Sequence, residues 1–248
     1  MSSWLAVGWL LVGLVLLFPI TRWFGNHLRG IVLLLSGDPA VALYVYFALL
    51  LPGTMVHELS HLVMAKLLGV RTGKVSFGPK PRRGGVVQFG AVNYQRPDAL
   101  RESLIGLAPL MAGSALVLAL AHWRFGLDSA VTLRLQDLPA RLMRVPRAQD
   151  AWLWLYLIMA IANAMLPSAS DRRAWGTVGL YLGLIVLGLY VVGALAHLPG
   201  TAMAALFGLV SDLAFAFTLT ILLDVVIGGG LCGVELLLGL LLRRRIQY

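Results

Sequence analysis

Val56-His57-Glu58-Leu59-Ser60-His61-Leu62 lies inside an apolar run, about Val41 to Leu68, that is long enough to cross a membrane as a helix. Residues four apart share a helix face, so His57 and His61 present two imidazoles to one metal ion. Glu58, beside His57, reaches a water held at that ion. H-E-x-x-H is the pattern that activates water on zinc, with the carboxylate as general base. Ionisable groups at membrane depth cost roughly 2.5–3.5 kcal/mol each. His57, Glu58 and His61 therefore need a compensating interaction, and one divalent cation supplies it. The plain alternative is two hydrogen-bonded histidines and a buried glutamate inside a helix bundle.

The rest of the chain agrees with that solvent. Of its 248 residues 59% are hydrophobic and 12% charged, against about 25% charged in a soluble domain. The composition reads as an all-α integral membrane protein, because helices satisfy their own backbone in lipid. Its net charge of +9 sits in loops between apolar spans, without an arginine-and-aromatic groove. Nucleic acid is thereby excluded as the partner, and the basic residues read as positive-inside loops that meet lipid headgroups. Cys232 is the single cysteine, which rules out a disulfide within the chain and a thiol-only metal site. Residues 4–20 lack a basic lead-in and a cleavage site, and read as a retained first span.

About six spans are expected in one polytopic domain, 1–248: Trp4–Ile20, Val41–Leu68, Leu104–Trp123, Ala151–Leu166, Val178–Leu198 and 206–227. Residues 31–35 read as an interfacial turn, and Asp38-Pro39 as the start of the second span. Pro52-Gly53 should kink that span one turn before His57. Residues 70–96 alternate and carry Gly and Pro punctuation, so two to four short strands form a small β-rich insertion at the membrane surface or along a polar cavity. Its exposed edge suits an extended substrate. Residues 124–150 suggest a surface helix, Gly228-Gly229-Gly230 a break in the last segment, and His27 an exposed side chain. With alternating spans the larger set of basic residues, from Arg71 to Arg101 with Arg172, Arg173 and Arg243 to Arg245, falls on one side. That side should be cytoplasmic and should hold both termini and the β-rich loop.

A hydrolytic zinc site takes three protein ligands and a water. The remaining membrane acids are Asp171, Asp212, Asp224 and Glu235. Asp171 is favoured, because the second and fourth spans run the same way and end at matching depth. Glu235 is the second choice, and Asp212 and Asp224 read first as interhelical hydrogen-bond partners.

At this point the chain resembles the site-2 protease family of intramembrane zinc metalloproteases. Four features carry the resemblance, in the family's order: His57-Glu58-Leu59-Ser60-His61, the β-rich Gly69–Tyr94 stretch, the Gly106-to-Pro109 turn, and Asn163 with Pro167 and Asp171. The resemblance implies a catalytic core at about 41–173, one zinc ion on His57, His61 and Asp171, Glu58 as base, and Asn163 as a hydrogen-bond donor to substrate or transition state. Two details depart from the family: Ser170-Asp171-Arg172 stands where Leu-Asp-Gly is common, and Pro167 lies four residues after Asn163 rather than three. No PDZ domain fits in 124–150.

The expected activity is zinc-dependent endopeptidase cleavage of a membrane-anchored protein. Arg172 supports an alternative, a zinc-binding membrane scaffold or assembly factor without cleavage. A transporter with buried acids and histidines on its ion path is a third reading, although no transporter-like repeat is present.

Overall fold

The computed structural model describes residues 3–81, 87–95, 97–127, 145–193, 199–244 and 246. Helix α1 (Ser3–Ser36) leads through Gly37-Asp38 into α2 (Pro39–Leu67). A hairpin of β1 (Thr72–Pro81) and β2 (Val87–Tyr94) follows, then α3 (Ala99–Phe125), α4 (Ala151–Ala164), α5 (Trp175–Val191) and α6 (Gly200–Leu241). Among the described residues α1, α2, α3 and α6 are long and apolar enough to cross a membrane. The apolar helices α4 and α5 have only 14 and 17 residues. Most of the surface helix expected at 124–150, and also His197, lie outside the described residues.

Local chemistry explains the helix ends. Gly37 adopts a φ of 71°, a conformation that favours glycine. The Asp38 carboxylate accepts the Ala40 N–H at 2.7 Å, and Pro39 takes the first helical position. Asp98 caps α3 in the same way, and the Arg101 backbone N–H holds its carboxyl below the usual carboxylate range. Residues 31–35 are not the expected turn. They complete α1, because Ile31-Val32-Leu33-Leu34-Leu35 holds no residue that breaks a helix before Gly37.

The hairpin is antiparallel, with Phe77 opposite Gly90 and Thr72 opposite Tyr94. Its register shifts between Phe77 and Lys80, where Gly78 takes a φ of 143°. Both strands pack on α2, which brings the free edge of β2 alongside the His57–His61 face.

Two expectations about α6 fail for one reason. Gly228-Gly229-Gly230 does not break it, since the helix runs unbroken from Gly200 to Leu241. Three interior glycines cost roughly 1 kcal/mol each relative to alanine. At Gly228 close approach is the compensation, because a Cβ there would overlap the Trp23 ring of α1. The same contact sets direction. Trp9 pairs with Thr218, Trp23 with Gly228, and His27 with Glu235, so α1 and α6 run side by side in the same sense. Arg244 accordingly approaches Gly37, at the far end of α1 from Ser3. Ser3 and Arg244 therefore lie at opposite ends of the α1–α6 pair, whereas strict alternation of six spans puts both termini on one side.

The core lies between α3, α4 and α6, with Val117, Ala121, Ile158, Ile161, Phe215 and Leu219 at its centre. By contrast α5 leaves Leu180, Leu184, Ile185 and Leu187 exposed.

Candidate metal centre

Glycine positions the two helices that build the centre. A Cβ on Gly53 would run into the Ala160 carbonyl, so α2 and α4 touch backbone to backbone there. One turn further along both helices, His57 meets Ala164. Its Nδ1–H donates to the Ala164 carbonyl at 2.7 Å. That carbonyl is at the C-terminus of α4, where the last four C=O groups have no helical partner.

His61 repeats the arrangement on the opposite wall. Its Nδ1–H donates to the Ile105 carbonyl of α3 at 2.8 Å. The residue four positions on is Pro109, inside α3, and proline has no N–H to give the Ile105 carbonyl. Each histidine thus takes a carbonyl that its own helix leaves open. Tied at Nδ1, both neutral rings present a bare lone pair at Nε2.

The two Nε2 atoms face each other at 3.1 Å. Two lone pairs at that distance repel unless a proton or a metal cation lies between them. Asp171 completes the set. Its Oδ2 lies 3.6 Å from His57 Nε2 and its Oδ1 3.5 Å from His61 Nε2. The three residues form a group that could hold a metal ion. A tetrahedral cation with bonds of about 2.1 Å has ligand atoms about 3.4 Å apart, and the observed separations bracket that figure.

Asp171 is held from both sides. The Ser168 backbone N–H donates to Asp171 Oδ2 at 2.7 Å. Behind it, a Cβ on Gly106 would overlap the Asp171 carbonyl, so the 168–171 turn rests directly on the backbone of α3. Gly113, two turns further on, receives the Met165 side chain in the same manner. Gly106-to-Pro109 is therefore no turn but part of a continuous helix, with Gly106 seating Asp171 and Pro109 opening a carbonyl for His61.

Glu58 is buried with 6% of its surface exposed, and accepts no hydrogen bond among the described residues. Gly90 of β2 lies over it, where a Cβ would come within 2.5 Å of Glu58 Oε1. Next to it opens a cleft of about 620 Å³, lined by His57, Glu58 and His61, by residues Gly90 to Tyr94 of β2, and by Asn163 and the turn that carries Asp171. Tyr94, at the end of that strand, has its hydroxyl pKa raised by burial. Pro52 does not interrupt α2, and nearby the Tyr156 hydroxyl donates to the Leu49 carbonyl at 3.0 Å.

The other candidates separate from the centre. Glu235 accepts the His27 Nδ1–H at 2.5 Å, between α1 and α6. His27 is therefore not the exposed side chain expected, since 14% of it meets solvent. Asp224 takes the interhelical role, accepting from Asn163 Nδ2 at 2.6 Å. Arg172 stacks on the Phe18 ring, 5.1 Å from its centre, and does not line the cleft. Gly90 and the role of Pro109 have no place in the sequence reading, although the i to i+4 relation of Ile105 and Pro109 is a signal it contains.

No family model matches the chain, and no curated protein or solved structure is significantly similar to it. What the site offers is its own chemistry: a His-His-Asp set with His61 buried, His57 and Asp171 partly so and both imidazoles oriented, a carboxylate beside it and a strand along the cleft.

Proposed function

We propose that this chain is a zinc-dependent intramembrane endopeptidase of the site-2 protease kind, acting on membrane-anchored proteins. One observation carries the reading. Both imidazoles are tied at Nδ1 to unpaired backbone carbonyls, so their Nε2 atoms converge with Asp171. A borderline-soft ion with a preference for nitrogen and carboxylate suits that set, and one zinc ion fits best.

Zinc in such a site polarises a carbonyl and brings the pKa of a water to roughly 7. The protein's own residues do the rest. Glu58, next to His57 and uncommitted, takes a proton from the attacking water and returns it to the departing amine nitrogen. The free edge of β2, from Gly90 to Tyr94, pairs with a substrate segment unwound from its helix. The turn at 165–174 is irregular backbone at membrane depth, which is tolerated where it lines a cavity.

In this reading α4 enters the bilayer and ends inside it, since 14 residues reach only about 21 Å. With α5 it makes up the six membrane segments. The β hairpin and the N-terminus face the cytoplasm, for α1 is antiparallel to α2 and basic residues crowd the 71–101 region. The C-terminus lies on the other side. The lipid bilayer is the solvent, and nucleic acid has no role. Arg172, the residue that favoured a scaffold without cleavage, stacks on Phe18 and is not among the residues that line the cleft.

The test is Glu58→Gln in the purified protein reconstituted with zinc. Zinc content should stay at one ion per chain, and cleavage of a membrane-anchored reporter should fall by at least about 10²–10⁴-fold. A variant that cleaves like wild type refutes the mechanism. A wild-type protein that binds zinc and cleaves no membrane substrate refutes the peptidase and favours the scaffold.

A further inference from the structure

The peptidase reading places Asn163 at the cleft as a donor to substrate. Its side chain is arranged otherwise. Nδ2 donates one hydrogen to the Met159 carbonyl at 3.1 Å and the other to Asp224 Oδ1 at 2.6 Å. An amide nitrogen has two hydrogens, so none remains. Oδ1 of Asn163 accepts no hydrogen bond among the described residues, and Asn163 lines the cleft. The assignment of nitrogen and oxygen follows from the partners, because the Met159 carbonyl can only accept.

Asp224 belongs to α6, outside α2 and the 168–171 turn, which carry the candidate ligands and the base. It is fully buried, with 0% of its surface exposed. Its Oδ2 has no hydrogen-bond partner among the described residues. A buried polar group in that condition is destabilising, which marks Asp224 as a residue whose presence needs a reason other than stability. Its one hydrogen bond among the described residues runs to Asn163, and Asn163 immediately precedes Ala164, the residue that orients His57.

We propose that Asp224 is a positioning residue that turns Asn163 so that its amide oxygen, and not its nitrogen, meets the substrate. Asn163 then accepts a backbone N–H from the unwound segment in the cleft. The acceptor role rests on the peptidase reading, whereas the tether between α6 and α4 does not. The substrate class follows: a peptide whose N–H next to the scissile bond is present, so that replacing that amide by an ester removes the contact.

Two measurements decide it. In the ¹⁵N-labelled protein the Asn163 side-chain amide, assigned by its loss in Asn163→Ala, should be protected from solvent exchange in wild type and in Asp224→Asn, which keeps an oxygen acceptor. In Asp224→Leu, an apolar replacement suited to a buried site, protection should fall at least tenfold. Unchanged protection in Asp224→Leu overturns the tether. In cleavage assays Asp224→Leu should raise KM about 3- to 10-fold, the range of one hydrogen bond, with zinc content and kcat retained and Asp224→Asn near wild type. The double variant Asn163→Ala/Asp224→Leu should be no worse than Asn163→Ala. Additive losses, or a wild-type KM in Asp224→Leu while Glu58→Gln is inactive, overturn the positioning role and leave the peptidase standing. Wild-type protein that holds zinc but does not cleave removes the peptidase and the acceptor role together, and the amide signal still decides the tether.

Discussion

Two places in this protein set histidine against carboxylate between helices, and they differ in what the atoms are free to do. Between α1 and α6, His27 Nδ1 and Glu235 Oε2 stand 2.5 Å apart. Donor and acceptor satisfy each other, and no ion fits between them. At His57, His61 and Asp171 the closest approaches are 3.1–3.6 Å. There each Nδ1–H is spent on a backbone carbonyl, and the lone pairs that remain all point to one centre. Imidazole and carboxylate are present at both places. Spacing and the carbonyls behind the rings make the difference, which agrees with the general rule that outer partners orient metal-binding histidines.

The contrast can be broken most directly at Asp171. Asp171→Ala should lose bound zinc, measured by metal analysis of the purified protein, and with it all cleavage. Zinc unchanged in that variant moves the third ligand elsewhere and ends the distinction between the two sites. A gentler change tests the seat behind the ligand. Gly106→Val puts a side chain where the Asp171 carbonyl now rests. Zinc affinity should fall about 10- to 100-fold, as for loss of an outer partner, with a competing chelator as the probe. An affinity equal to wild type means that the turn finds another route to the centre. The smallest effect on the metal belongs to the other pair. Glu235→Ala should leave zinc stoichiometry and affinity alone, and should lower resistance to thermal unfolding by about 1–3 kcal/mol. Loss of zinc in Glu235→Ala would show that the α1–α6 pair is not independent of the centre.

Much of the site is legible in the chain. H-E-x-x-H on an apolar span names His57, Glu58 and His61, and matched span depth singles out Asp171 from four acids. The structure brings His57, His61 and Asp171 together as a group that could hold a metal ion. Element boundaries near Gly37, Asp38 and Asp98 follow from local turn and capping chemistry. Less legible was the direction of the last helix. Alternation of six spans puts both termini on one side, but α6 runs with α1 and carries Arg243 and Arg244 to the opposite end. Loop counting assumes that every apolar segment crosses once. The short α4 and α5 are where that assumption is weakest.

Glycine shows the same limit. Gly53, Gly90, Gly106 and Gly228 look alike in the sequence, where a glycine in an apolar run reads as a kink, a break or a small packing residue. Each is a point of backbone contact with a different partner: Ala160, Glu58, Asp171 and Trp23. Which partner arrives depends on segments up to 205 residues away, and no local pattern encodes it.

By itself, then, the sequence determined the apolar, mostly helical class and named a His57, His61 and Asp171 set that could hold a metal ion, because hydropathy and the i, i+4 spacing are local properties. Only the tertiary structure decided which carbonyls hold the imidazoles, which glycines admit Asp171 and Glu58 to their places, and which acceptors take the amide hydrogens of Asn163. Those are contacts between distant segments. They follow from helices packing at their closest backbone approach, a constraint that acts on the folded chain as a whole.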